Sequence, residues 1–252
     1  MLRWTKDIFR WIRPHHVIES VKNPKRALRE LKYRYTFSSK QRFIADILSL
    51  PKGQVLEVFD EVHRSNFLFD LNSQIREHPP QSGRGAMGDE AELLYVCFRL
   101  TRPALVVETG VGAGLSTAYI LKALEKNNYG LLYSVDFYKD GEQCGWIVSD
   151  HLKKRWKLTK GLSNQVLDPL LSQLGPIDAF IHDSGHSYEN MMMEFQTIWP
   201  YLKNGGVFMA HDVGRNDALF DFLKEVQFSW RSVRTYNVLA GFQKISRSYG
   251  IL

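Results

Sequence analysis

The stretch Val106-Val107-Glu108-Thr109-Gly110-Val111-Gly112-Ala113-Gly114-Leu115-Ser116 decides how this chain reads: an apolar run closes on an acid and gives way to three alternate glycines. A short apolar run followed by residues that accept a tight turn predicts a buried strand, a turn and the first residues of a helix. In an α/β protein that junction lets backbone N–H groups and a helix N-terminus approach a nucleoside-containing ligand.

Working outward, Asp89 is placed to cap a helix in which Leu93, Leu94, Val96, Cys97 and Leu100 cluster toward one side, with Pro103 as its stop. Strands are predicted at 104–108, 130–136, 156–161, 176–183 and 206–212, and helices near 115–126, 142–154, 163–174 and 187–202. Residues 231–236 and 239–245, around Asn237-Val238, read as a closing hairpin. This alternation predicts an α/β fold, a largely parallel sheet with helices on both faces. The run Met191-Met192-Met193 and the pair Trp199-Pro200 read as packing, because neighbours on a helix face different ways.

The second strand also ends in an acid, Asp136, 22 residues past Gly114. A carboxylate there can accept both hydroxyls of a ribose. The glycine spacing is G-x-G-x-G, whereas a dinucleotide fingerprint asks for G-x-G-x-x-G; Leu115 and Ser116 stand where its third glycine would fall. An NAD-linked oxidoreductase built on the same junction is therefore the weaker of two enzyme readings.

Composition bounds the rest. The 252 residues, 44% of them apolar, can bury one full α/β core with an extension. The two cysteines, Cys97 and Cys144, have no metal-ligand or redox spacing. No apolar run approaches the roughly 20 residues of a membrane span, and the N-terminus lacks the apolar core of a signal peptide, so a cytoplasmic location is the expectation. The net charge of +6 is uneven: residues 1–42 hold twelve Lys/Arg against three acids, which leaves the remainder at −3. That is the pattern of a basic appendage, not of a nucleic-acid enzyme's surface, and no nucleic-acid-binding motif is present.

Three regions are expected: a basic helical extension (1–42), a helical segment with a Gly/Pro-rich loop (43–85), and the catalytic domain (86–252). Within the first, Trp4, Ile8, Trp11 and Ile12 share one helical face, with basic residues largely off it. Over residues 1–13 such a face suits peripheral contact with an anionic membrane, or docking on the catalytic domain or on a second subunit of a homo-oligomer. Residues 22–35 repeat the mixture of charge and aromatics, and the loop 78–88 is a linker or a lid over bound substrate.

Val-Val-Glu-Thr-Gly-Val-Gly-Ala-Gly resembles the first motif of class I methyltransferases that use S-adenosylmethionine (SAM), and further pieces follow in that family's order. Asp136 in Ser-Val-Asp-Phe resembles the ribose-binding acid, Gly161-Leu162-Ser163 the adenine-side segment, and Leu202-Lys203-Asn204-Gly205-Gly206 the turn usually written L-K-P-G-G, with Asn204 in place of proline. Ile181-His182-Asp183-Ser184-Gly185-His186-Ser187-Tyr188-Glu189 is similar to the I-D-G-D-H-S-Y-E stretch of small-molecule and sugar O-methyltransferases. The likeness covers roughly 86–245. It implies a Rossmann-like sheet of seven strands, the last antiparallel, with SAM held by Glu108, Gly110, Gly112, Gly114, Ser116, Asp136, Phe137, Gly161, Leu162, Ser163 and Asp183.

Open α/β sheets place reactive groups beyond the carboxyl ends of strands, here Asp183 after strand four and His211-Asp212 after strand five. Asp183, His211 and Asp212 converging there could hold Mg²⁺ or another divalent cation that acidifies an acceptor hydroxyl. Metal-dependent members of the superfamily are similar in drawing ligands from these two strand ends; their adjacent pair is typically Asp-Asp, Asp-Asn or Glu-Asp, a pattern that His211 breaks. Asp183 as a helix cap, and Asp212 bonded to backbone or to the SAM amino group, are the plainer alternatives. His182, His186 and His211 are candidate bases, with His186 preferred because its loop lies over the acceptor side while His182 alternates away from Asp183. The end of strand four lacks the N-P-P-Y-like segment of base N-methyltransferases. That argues against base N-methylation without excluding ribose methylation; the resemblance implies O-methylation of a small molecule or glycan, with Asp183, His186 and His211 doing the chemistry. A non-catalytic SAM-fold protein that recruits partners through its basic arm is the alternative outside enzymes.

Overall fold

The computed structural model describes residues 39–77, 90–139, 144–229 and 232–245. The helical faces expected in 1–13 and 22–35, the loop 78–88 and the capping Asp89 lie outside the described residues. Among the described residues are eight α-helices and seven strands: α1 (Lys40–Leu48), α2 (Lys52–Arg64), α3 (Phe67–Glu77), α4 (Ala91–Thr101), β1 (Leu105–Thr109), α5 (Leu115–Asn127), β2 (Leu131–Asp136), β3 (Trp156–Lys160), α6 (Ser163–Leu174), β4 (Ile177–His182), α7 (Tyr188–Ile198), β5 (Leu202–Ala210), α8 (Ala218–Glu225), β6 (Arg234–Tyr236) and β7 (Leu239–Gln243).

The strands form one sheet in the order β3-β2-β1-β4-β5-β7-β6. All pairings from β3 to β5 are parallel, and β7 runs antiparallel to both β5 and β6. The sheet is thus the Rossmann-like, seven-stranded arrangement, with the chain's last strand reversed and inserted beside β5. The order turns outward in both directions from β1 and β4, and in an open parallel sheet such a switch point opens a crevice at the carboxyl ends of the strands.

Alternate residues of the central strands feed two apolar cores, which is why these segments read as continuous apolar runs. Val106, Ala179, Ile181, Val207 and Met209 pack against α1, α2, α4 and α5. Val107, Phe180, Phe208 and Ala210 pack against α6, α7 and α8. The segment ahead of the sheet belongs to the first core: α1, capped by the Ser39 hydroxyl accepting from the Arg42 N–H, buries Ile44 in that core and sets Phe43 and Ile47 against Gly241 of β7. Glu61 of α2 is clamped by the Arg99 guanidinium of α4 at 2.7 and 2.8 Å. Hydrogen bonding from Arg99 outweighs burial and holds the Glu61 carboxyl down at about 2.

Three local features differ from the sequence reading. The helix expected near 142–154 is, over the described residues, bends and one 3-10 turn, Leu152–Arg155. Its N–H groups serve elsewhere: Gly145 donates to Gly112 O and Ile147 to Ala113 O. Strand β5 begins at Leu202, not after the glycines, because Asn204-Gly205-Gly206 is absorbed as an irregularity of the ladder between Ile177 and Ala179. Helix α8 was not foreseen; its apolar face is Ala218, Leu219, Phe222 and Leu223. No helix among the described residues is long and apolar enough to cross a membrane.

Candidate functional site

The glycine turn is held from behind. Gly110 has φ +84°, donates to Val135 O at 2.8 Å, and lies so close to β4 that a Cβ would sit 2.2 Å from the Asp183 carbonyl oxygen. Gly114, φ +98°, presses on Gly145, which in turn lies against the Trp156 ring. Trp156 Nε1 donates to Ser134 Oγ, and Ser134 Oγ donates to Glu108. Glu108 also accepts from Ser116 at 2.6 Å and from Thr117 at 2.8 Å. Burial pushes the Glu108 carboxyl up to about 7, against the pull of those three hydroxyls. Glu108, Gly114 and Ser116, expected beside the cofactor, are therefore a layer beneath the turn that ties β1, β2 and α5 together; none of them lines the cavity.

That cavity, about 760 Å³, opens beyond the carboxyl ends of β1 to β5. One wall is Gly110, Val111, Gly112, Asp136 and Phe137, continued by Gly161, Leu162 and Ser163 at the start of α6. Asp136 Oδ2 accepts from the N–H groups of Val111 (3.0 Å) and Gly112 (2.8 Å), so the acid fixes the turn it was expected to work with. Gly161 donates to Asp136 O, and a Cβ on it would strike Val166 at 2.5 Å. Phe137 and Leu162 remain about half exposed, unusual for large apolar side chains, and give this end of the cavity an apolar lining.

The opposite end gathers the polar candidates. Parallel pairing of β4 with β5, continued by Asp183 N–H to Thr109 O and His211 N–H to His182 O, sets Asp183 and His211 side by side. His211 Nδ1 is 3.0 Å from Asp183 Oδ1, and His186 Nε2 is 3.9 Å from the same oxygen and 3.4 Å from Asp212 Oδ2. Asp212, in a left-handed conformation at φ 54°, is ion-paired at 2.6 Å with Arg215. Burial, with the neighbouring His182, pulls the His186 imidazole down to about 4 despite both carboxylates. Burial also acts downward on His211, but Asp183 and Asp212 outweigh it and leave its pKa raised. The donor atoms of Asp183, His186 and His211 all lie within 4.8 Å of one another. Asp212, expected as the third ligand, stays at the edge of this cluster, its Oδ2 shared between Arg215 at 2.6 Å, His186 Nε2 at 3.4 Å and His211 Nδ1 at 4.0 Å.

Behind this cluster lies a buried network that sequence reasoning missed. His182 is wholly buried, its Nδ1 2.6 Å from Glu194 Oε2, and Glu194 also accepts from Thr109 Oγ1 and Ser184 Oγ at 2.6 Å. Burial works to raise the Glu194 carboxyl, yet His182 and the surrounding hydroxyls carry it below its ordinary value. An acid inside the run Met191-Met192-Met193-Glu194-Phe195 was the available signal; Met191 itself is core. Asn190 donates to Ser184 Oγ (3.0 Å) and Gly185 O (2.7 Å), and Asn216 to His186 O (2.9 Å), so the loop carrying His186 is pinned from two helices' ends.

Residues 107–213, which span both ends of this cavity, match a family described as a methyltransferase domain. No curated protein matches the sequence. Among solved structures, the SAH-bound methyltransferase PaMTH1 of Podospora anserina aligns with a TM-score of 0.53 at 13% identity, over 72% of this chain and 88% of that one. The O-methyltransferase TomG of Streptomyces achromogenes, involved in tomaymycin synthesis and solved with SAM, gives 0.53 at 14% identity, over 72% and 91%. An O-methyltransferase of Bacillus cereus in complex with SAH gives 0.52 at 12% identity, over 85% and 100%. At such identities the likeness is one of fold: the sheet and its flanking helices are those of these methyltransferase structures, and the family match lies over 107–213, the part of the chain that carries β1 to β5.

Proposed function

We propose that this protein transfers the methyl group of S-adenosylmethionine to a hydroxyl oxygen of a small molecule or glycan. The observation that supports this best is the continuity of one cavity, from the glycine turn and Asp136 at one end to Asp183, His186 and His211 at the other. The first end suits the cofactor: Asp136 for the ribose hydroxyls, Phe137 and Leu162 for the faces of the base, and the Gly110–Gly112 backbone for close approach of the amino-acid end. The second end suits the acceptor.

Methyl transfer from a sulfonium is an in-line displacement. The acceptor oxygen forms a bond to the methyl carbon while the carbon–sulfur bond breaks, S-adenosylhomocysteine departs with the electron pair, and the hydroxyl proton must go to a base. His186, neutral at pH 7 because burial disfavours its charge, holds a lone pair for that proton, and Asp183 orients His211 beside it. The same residues would alternatively hold a divalent cation through Asp183 Oδ1, His211 Nδ1 and His186 Nε2, in which case the imidazole lone pair goes to the cation and not to the proton. Bound there, a cation would supply Lewis acidity that lowers the pKa of an acceptor hydroxyl.

The test is incubation of the full chain with methyl-labelled SAM and a panel of phenols, polyols and sugars. Label in an ether product supports the reading, and label only in amine products replaces it by N-methylation. Asp183→Asn is expected to lower kcat about a hundredfold, within the range typical of acid–base groups, while leaving SAM affinity within about threefold.

A further inference from the structure

We propose that Asp183, His186 and His211 form a binding site for a first-row transition cation of the zinc and iron class, and that this site discriminates against Mg²⁺. The proposal rests on the acceptor end of the site described above and names the ion that end would take. Its basis is the donor set. Two imidazoles and one carboxylate, with donor atoms mutually within 4.8 Å, are the ligands that nitrogen-preferring divalent ions select. Mg²⁺ asks for near-octahedral oxygen coordination, whereas two of the three donors here are imidazole nitrogens and the neighbouring Asp212 oxygen is already shared with Arg215.

Geometry agrees at each member. Ligands about 2.0–2.1 Å from a tetrahedral ion stand about 3.3 Å apart, so the observed separations of 3.0 Å (His211 to Asp183) and 3.9 Å (His186 to Asp183) need only small side-chain adjustment. Although His211 Nδ1 lies 3.0 Å from Asp183 Oδ1 and 4.0 Å from Asp212 Oδ2, neither contact aligns as a hydrogen bond. His186 contributes its Nε2, 3.9 Å from the same Asp183 oxygen. Buried ring nitrogens are ordinarily satisfied, so an unpartnered His211 Nδ1 facing Asp183, with His186 Nε2 beside the same oxygen, points to a missing ligand. The surroundings are preorganised as a metal site requires: β4 and β5 fix Asp183 and His211 through their backbones, while Asn216 and Asn190 hold the His186 loop. Three protein ligands leave coordination positions open toward the cavity, where an acceptor would enter.

The experiment is a titration of the full chain, stripped by chelator, with Co²⁺ followed by its visible d–d absorption, and with Zn²⁺ and Mg²⁺ by calorimetry, alongside SAM binding on the same preparation. One Co²⁺ per chain, displaced by equimolar Zn²⁺ but not by a thousandfold excess of Mg²⁺, is the expected result. His186→Ala and His211→Ala should each weaken Co²⁺ at least a hundredfold while circular dichroism and SAM affinity are retained. Absence of stoichiometric Co²⁺ uptake by the wild-type chain, displacement by Mg²⁺ at comparable concentration, or uptake indifferent to both histidine replacements would overturn the site. SAM binding with no metal uptake overturns this proposal alone; metal uptake with no SAM binding overturns the methyltransferase reading and leaves the site standing.

Discussion

Glu108 shows how far a single residue's role could be read. The sequence marks it as an acid at the end of a strand, and family likeness puts it beside the ligand; burial and three hydroxyl donors instead make it a strut beneath the glycine turn. Nothing in the spacing tells which way a strand-end carboxylate faces once the turn has folded. Its pKa has a consequence for stability. Both states are protonated below 4.5; between 4.5 and about 7 the unfolded chain ionises while the native one resists, so stability falls by about 3 kcal/mol across that window and stays low above it. Urea unfolding of wild type against Glu108→Gln should show that difference developing between pH 4.5 and 7, and parallel profiles would refute it. Gly110, by contrast, was legible as a glycine the turn requires. Gly110→Ala, with φ +84° and a Cβ 2.2 Å from a backbone oxygen, should weaken SAM binding about a hundredfold and lower the melting temperature; unchanged binding in calorimetry would show that the turn does not need to press on β4.

At the scale of elements, the strands were readable because each central one is apolar on both faces. Their partners were harder. The stretch 144–155 carries residues that suit a helix, yet its glycine at 145 and its hydrogen bonds to Gly112 and Ala113 commit it to bracing the cofactor turn, a tertiary demand invisible locally. Helix α8 is only eight residues long and holds its place by packing: Phe222 contacts Phe195, Trp199 and Phe208 with ring centroids at 5.5, 5.5 and 5.9 Å. Phe222→Ala should cost about 3–5 kcal/mol, read as a shift of the urea midpoint at constant slope. A cost below about 1 kcal/mol would mean that α8 is peripheral to the second core.

For the whole molecule, five parallel strands deliver Gly110, Asp136, Gly161, Asp183 and His211 to one edge of the sheet, and residues more than a hundred positions apart become the wall of one cavity. The order of those motifs was legible in the sequence. The grouping of Asp183, His186 and His211 was also legible as an expectation; the distances among them and the pairing of Asp212 with Arg215 were not, because they depend on how two loops are pinned by Asn190 and Asn216. We propose Asp136 as the ribose contact of SAM bound in this cavity. Calorimetric titration of the full chain with SAM and with S-adenosylhomocysteine, repeated on Asp136→Ala, tests it most directly. Binding of both compounds at one competitive site, weakened at least tenfold by the replacement, is the expected result; no binding of either by the wild-type protein would contradict the account.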